Sequence, residues 1–115
     1  MPETPACIFC RIARGEVPAK MLVNTKEMFA FRDISPQAPT HVLIVPKKHI
    51  ASLDDLNDSD LIGRMMMLAV AIARQEGVAK TGYRTVINTG KDGGQSVDHL
   101  HIHLLGGRQM AWPPG

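Results

Sequence analysis

Apolar and polar positions along the chain predict five short strands and two helices. Cys7 to Ala13 reads as a short helix, stopped by Gly15 and Pro18. Lys20–Asn24 and Met28–Arg32 read as strands around Thr25-Lys26, followed by an irregular loop over 33–39 that contains Pro36 and Pro39. His41-Val42-Leu43-Ile44-Val45 is an almost continuous β-branched run, the pattern of a strand buried on both faces, and Pro46 closes it. From Asp58 or Ser59 as N-cap, Leu61, Met65, Leu68 and Ile72 recur at helical spacing, and Gly77 stands where a helix-ending glycine belongs. Tyr83–Ile87 reads as a fourth strand, Asn88 to Gln95 as a glycine-rich loop, and His99–Leu105 as a fifth strand ending at Gly106-Gly107. Within the long helix, Met65-Met66-Met67 reads as adaptable core and helix surface. Strands outnumber helices and do not alternate with them. This order predicts an α+β domain with a mainly antiparallel five-stranded sheet, one long helix across it and a short N-terminal helix.

Length and charge narrow the possibilities. With 115 residues and no internal repeat or low-complexity stretch, residues 1–115 read as a single domain. The formal charge is +2 and the charged residues are scattered without a basic block, so neither nucleic acid nor a membrane surface is expected as a partner. Met1-Pro2-Glu3-Thr4-Pro5 lacks the basic start and apolar run of a signal peptide, and no stretch reaches the roughly 20 apolar residues of a membrane span. A cytoplasmic location is expected. In that reducing compartment Cys7-Ile8-Phe9-Cys10 reads as a redox pair or half of a metal site rather than a structural disulfide.

The chemistry concentrates in Asp98-His99-Leu100-His101-Ile102-His103. On a strand, side chains alternate between faces, which sets His99, His101 and His103 on one side and Leu100, Ile102 and Leu104 in the core behind them. One histidine on such a face would read as a satisfied core residue; three of the chain's five within a single strand do not. A three-histidine metal site is awkward, because ligands on one strand lie along a line. Nucleophilic attack on phosphorus fits better, since a neutral imidazole with a pKa of about 6.5 is a competent nucleophile at neutral pH. Just upstream, Asn88 and the loop through Gly93, Gly94, Gln95, Ser96 and Val97 offer backbone N–H groups and neutral donors to an anion. A glycine-rich loop is usually only a turn. Set directly before aligned histidines, it reads as the other half of a phosphate cradle.

At this point the chain resembles the histidine-triad (HIT) proteins, marked by His-φ-His-φ-His-φ-φ with φ apolar. The likeness extends through Asp33-Ile34-Ser35-Pro36-Gln37-Ala38-Pro39-Thr40-His41, Pro46-Lys47-Lys48-His49-Ile50, Asp92 to Val97, and Leu105-Gly106-Gly107-Arg108-Gln109-Met110 through Trp112-Pro113-Pro114-Gly115, all of which look like the HINT branch. The resemblance implies a HIT-like fold whose sheet continues across a homodimer, with a purine nucleotide pocket in each subunit. It implies a hydrolase of purine nucleoside phosphoramidates in which His101 attacks the α-phosphorus and forms a nucleotidyl-histidine. By similarity His103 donates to a nonbridging oxygen, while Ser96, Asn88, Gly94 and the backbone from Gln95 to Val97 complete the cradle. Asp33 resembles the ribose ligand, Ile34, Phe9 and Phe31 match positions lining the base pocket, and Trp112 matches a tail residue reaching the partner's site. Phe9 and Phe31 read equally well as core. His41 reads as structural, at a strand start.

Many bacterial relatives that open with this C-x-x-C resemble the zinc arrangement of galactose-1-phosphate uridylyltransferase. Carried over, the resemblance implies a closed structural Zn²⁺ held by Cys7, Cys10, His49 and His99, buttressing the catalytic strand; the plainer alternative is two inert thiols with His49 bonded to the triad. Asp98, Arg32 and Ala111 depart from the residues common at their positions, and none touches His101. Dinucleoside polyphosphate hydrolysis and nucleotidyl transfer share the same covalent step, and a nucleotide-binding adaptor is the reading from another class.

Overall fold

Burial along the central strands alternates between two sides of one sheet, and each side is covered by a different helix. The computed structural model describes residues 6–115; the opening Met1–Pro5, read above as unlike a signal peptide, lies outside them. In chain order the elements are α1 (Ile8–Ala13), β1 (Met21–Asn24), β2 (Met28–Arg32), β3 (Thr40–Pro46), a 3₁₀ turn (Leu53–Asp55), α2 (Ser59–Gln75), β4 (Tyr83–Val86) and β5 (Ile102–Gly106). The sheet order is β1-β2-β3-β5-β4, and every pairing is antiparallel. This is the α+β architecture the sequence predicts, with most boundaries within a residue or two; the 3₁₀ turn is an addition that the apolar pattern does not signal.

On one side, Met28, Ala30, Val42, Ile44, Ile102 and Leu104 pack with Leu61, Met65, Ala69, Ile72 and Ala73 of α2. On the other, Phe29, Phe31, Leu43 and Val45 pack with Phe9 and Ile12 of α1. β3 is buried throughout, as its β-branched run implies. The three consecutive methionines split as expected: Met65 is buried, Met66 half-buried and Met67 exposed.

Both ends of α2 follow from the sequence. Asp58 Oδ1 accepts from the backbone N–H of Asp60 at 3.1 Å and Leu61 at 3.2 Å, filling two of the donors a helix start leaves open. At the other end Gly77 takes φ +80°, and the N–H groups of Gly77 and Val78 return to the carbonyls of Arg74 and Ala73. Asp58→Ala is expected to cost about 1 kcal/mol, read as a lower urea midpoint with an unchanged slope.

The fifth strand requires a correction. It was expected over His99–Leu105 but pairs only from Ile102, so His99 and His101 precede it. The β3–β5 register, continued one step beyond Ile44↔Ile102 and its neighbour, sets Leu100 against Pro46. Proline has no N–H to give a ladder, and the Leu100 N–H bonds the Ile50 carbonyl at 2.7 Å instead. The chain bends at Val97 to His99, which turns His99 toward α1 while His101 and His103 stay together.

Candidate functional site

Behind the six-residue α1, the sheet leaves a cleft of about 310 Å³. Its walls bring together Phe9, Phe31, Asp33, Ile34, Ser96, Val97, His101 and His103. Asn88, Gly94, Gln95 and Trp112 are not among its lining residues. The Gln95 side chain is instead a clasp: its amide donates to the Ala51 and Val97 carbonyls at 2.7 and 3.0 Å, and its oxygen accepts the Gly90 N–H at 3.0 Å. Phe9 and Phe31 are buried and also wall the cleft, so they serve both readings. The Phe9 ring meets those of Phe31, His99 and His101 edge-on, with centroids 5.0 to 5.8 Å apart.

Backbone groups fix the protonation pattern of the histidines. The Nδ1–H of His101 donates to the His99 carbonyl at 2.6 Å, which leaves the Nε2 of the neutral ring with an open lone pair. The Gln37 N–H donates to His41 Nδ1 at 3.0 Å, so the proton of neutral His41 sits on Nε2. From there it is donated to His103 Nδ1 at 2.9 Å, and the proton of His103 is placed on its Nε2. With ring centroids 4.9 Å apart, His101 therefore presents an acceptor and His103 a donor to the same cleft. His41 was read from sequence only as a strand-start residue. Its link to His103 depends on β3 and β5 being neighbours, which sets His103 opposite Leu43, two residues from His41, and no local signal carries that.

Burial keeps these rings neutral. It pushes His101 below the ordinary imidazole value against the pull of the His99 carbonyl and of Asp33, and pushes His41 down against Asp33. His103 falls to about 4, first by burial and then by the neighbouring His101 and His41. A group with a depressed native pKa contributes stability that is complete above its unfolded value of 6.5 and lost as pH falls toward the native one. The melting temperature is accordingly expected to drop between pH 6.5 and about 4, measured by calorimetry across that window.

Asp33 stands at the end of β2, with Oδ1 accepting the Ser35 N–H at 2.8 Å and Oδ2 3.5 Å from His41 Nε2. Asp33, His41 and His103 are close enough to share a cation, but the proton that His41 must carry on Nε2 occupies that position. Of the three departures noted in the sequence, Arg32 forms a two-pronged ion pair with Glu76 at 2.8 and 3.0 Å. The Ala111 carbonyl accepts from Arg84, and Asp98 is exposed.

A second constellation lies on the far side of Phe9. Cys7 Sγ is 3.3 Å and Cys10 Sγ 3.6 Å from His99 Nδ1, while His49 Nδ1 is 3.3 Å from Cys10 Sγ and 3.2 Å from His99 Nδ1. His99 donates its Nε2–H to the Pro46 carbonyl at 2.8 Å, which turns a lone pair on Nδ1 toward the group. Tetrahedral Zn²⁺ with bonds of about 2.0–2.3 Å requires ligand-to-ligand edges of roughly 3.3–3.8 Å. The donor types and these four distances fit, the other two pairs lie within 4.8 Å, and these four residues could hold a metal ion.

A scan against known families matches residues 14–110 to the HIT domain. The chain belongs to the HIT family. An uncharacterised HIT-like protein of Synechococcus elongatus is 53% identical over 110 residues, covering 94% of this chain and 96% of the relative. Among solved structures, a HIT family hydrolase from Legionella pneumophila superposes with a TM-score of 0.93 at 55% identity, covering 95% of this chain and 99% of the other. A histidine triad nucleotide-binding protein from Candida albicans gives 0.82 at 33% identity, covering 94% and 83%. The HIT fold and a hydrolase-like relationship are thereby established. Among the described residues, no helix is long and apolar enough to cross a membrane.

Proposed function

We propose that this chain is a HINT-branch hydrolase of purine nucleoside phosphoramidates. One observation carries the reading: the backbone gives His101 an open lone pair and His103 a free N–H within one cleft. His101 Nε2 attacks the α-phosphorus, the phosphorus–nitrogen bond breaks, and the nitrogen takes up a proton and leaves as the amine. Water then attacks the nucleotidyl-histidine and regenerates the imidazole. The His103 Nε2–H donates to a nonbridging oxygen, Ser96 and the backbone from Gln95 to Val97 share that charge, and Asn88 and Gly94 shape the loop around it. Asp33 accepts from the ribose hydroxyls, and the purine lies against Phe9, Phe31 and Ile34.

Zn²⁺ is the metal proposed for Cys7, Cys10, His49 and His99; when bound it fixes the geometry of those four side chains and takes no part in the hydrolysis. A cytoplasmic homodimer is proposed with it. Two features support the dimer: β4 is a sheet edge, and Trp112, which does not line its own cleft, is 82% exposed and available to a partner's site. The deciding experiment is rapid alkaline quench with adenosine phosphoramidate radiolabelled at its phosphorus, because a phosphorus–imidazole bond survives base and is cleaved by acid. Label recovered on the peptide bearing His101 is the expected result, and turnover with label on no peptide, or label elsewhere, overturns it.

A further inference from the structure

The two sulfurs of the metal constellation are not equivalent. Cys10 is fully buried, whereas Cys7 is half-buried and walls a second cleft of about 410 Å³ with His49, Ser96 and Asp98. Ser96 and Val97 border both this cleft and the nucleotide cleft, so a solute that reaches one stands beside the other. A structural zinc site shields its thiolates from oxidants by closing around them; this one leaves one sulfur facing a space that admits small solutes. The Cys10 N–H points at Cys7 Sγ, 3.5 Å away across the start of α1, and the two sulfurs lie within 4.8 Å of each other. Two cysteines separated by two residues at a helix start are well placed for thiol–disulfide chemistry.

We infer that Cys7 is an oxidation site through which a hydroperoxide, entering by this second cleft, converts Cys7 and Cys10 to a disulfide and dismantles the metal constellation. The Cys7 sulfur attacks the terminal peroxide oxygen, the O–O bond breaks, and the alcohol (or water) leaves with Cys7 as sulfenic acid. The Cys10 sulfur then attacks the Cys7 sulfur, the S–O bond breaks and water departs. Two thiols have given up two electrons and two protons, and the hydroperoxide has become alcohol and water. Of the donor set only the imidazoles of His49 and His99 remain, and the bond from His99 to the Pro46 carbonyl is untouched. The consequence reaches the nucleophile because the same residue, His99, supplies the carbonyl that sets the His101 tautomer, and Phe9 packs against both rings.

The test uses full-length protein loaded with zinc and treated with hydrogen peroxide. Metal release is followed with a chromophoric chelator and the thiols by peptide mass mapping. Expected are stoichiometric zinc release, loss of two hydrogens mapped to a Cys7–Cys10 link, and reversal by a dithiol. In Cys10→Ser, oxidation is expected to stop at a Cys7 sulfenic acid trapped by a 1,3-dione, and in Cys7→Ser, Cys10 is expected to stay unmodified. Retention of both thiols under conditions that oxidise glutathione in the same tube overturns the inference, as does Cys10 reacting equally fast in Cys7→Ser. Should either variant fail to fold, the wild-type mass map decides alone. Only the activity consequence rests on the hydrolase reading. If reduced protein turns over no phosphoramidate, that reading falls while the mass map still decides this one; if no zinc binds, the metal assignment falls and the disulfide still decides.

Discussion

His101→Ala is expected to reduce turnover of adenosine phosphoramidate by about 10,000-fold or more, because removing a covalent nucleophile deletes the step itself instead of weakening it. The fold should survive. The imidazole makes one hydrogen bond, from Nδ1 to the His99 carbonyl, and its ring packs edge-on against Phe9. Losing both costs about 1–3 kcal/mol, a drop in melting temperature of roughly 5–15 °C. Binding of AMP should persist, since Asp33, Phe9 and Phe31 are untouched. Single-turnover kinetics together with calorimetry separate the two effects. Residual activity above a few per cent of wild type in a folded variant would assign the nucleophile elsewhere.

The second large effect is on stability. Protein saturated with zinc is expected to melt well above its metal-free form, because a ligand at 1,000 times its dissociation constant stabilises the native state by about 4 kcal/mol. For a chain of this size that is a rise of roughly 10–20 °C. Cys7→Ser combined with Cys10→Ser should abolish the zinc-dependent rise. Four of the six donor-to-donor distances already lie near tetrahedral spacings, the other two are within 4.8 Å, and the His99 ring is pre-oriented by the Pro46 carbonyl, so little ordering remains to oppose binding. Calorimetry with and without added zinc checks it, and identical melting curves would remove the metal from the account.

How legible these features were in the sequence depended on whether their cause was local. The caps of α2 at Asp58 and Gly77, the buried run of β3 and the split of the three methionines were readable because neighbours within a few residues determine them. The late start of β5 was not. It follows from Pro46 standing opposite Leu100 across the sheet, a register that only the folded chain defines. The same applies to His41, whose role was visible only once β3 and β5 lay side by side, and to Gln95, whose amide holds the loop together and does not line the cleft. Eight residues that the family resemblance singled out line the cleft, including Asp33 and Ser96, which are 63 positions apart in the chain and converge only in three dimensions.

The two sides of the sheet are dressed unequally, by the 17 residues of α2 on one and the six of α1 on the other. Most of the apolar layer that keeps the domain folded therefore lies on the opposite side from the chemistry. Substitutions at the exposed Ile8 or in the stretch from Val17 to Ala19, which border the cleft and lie outside the metal constellation, can reshape what fits there while the thicker layer stays intact. A lineage carrying this scaffold is thus free to explore new substrates by altering a thin cover, with little risk to folding.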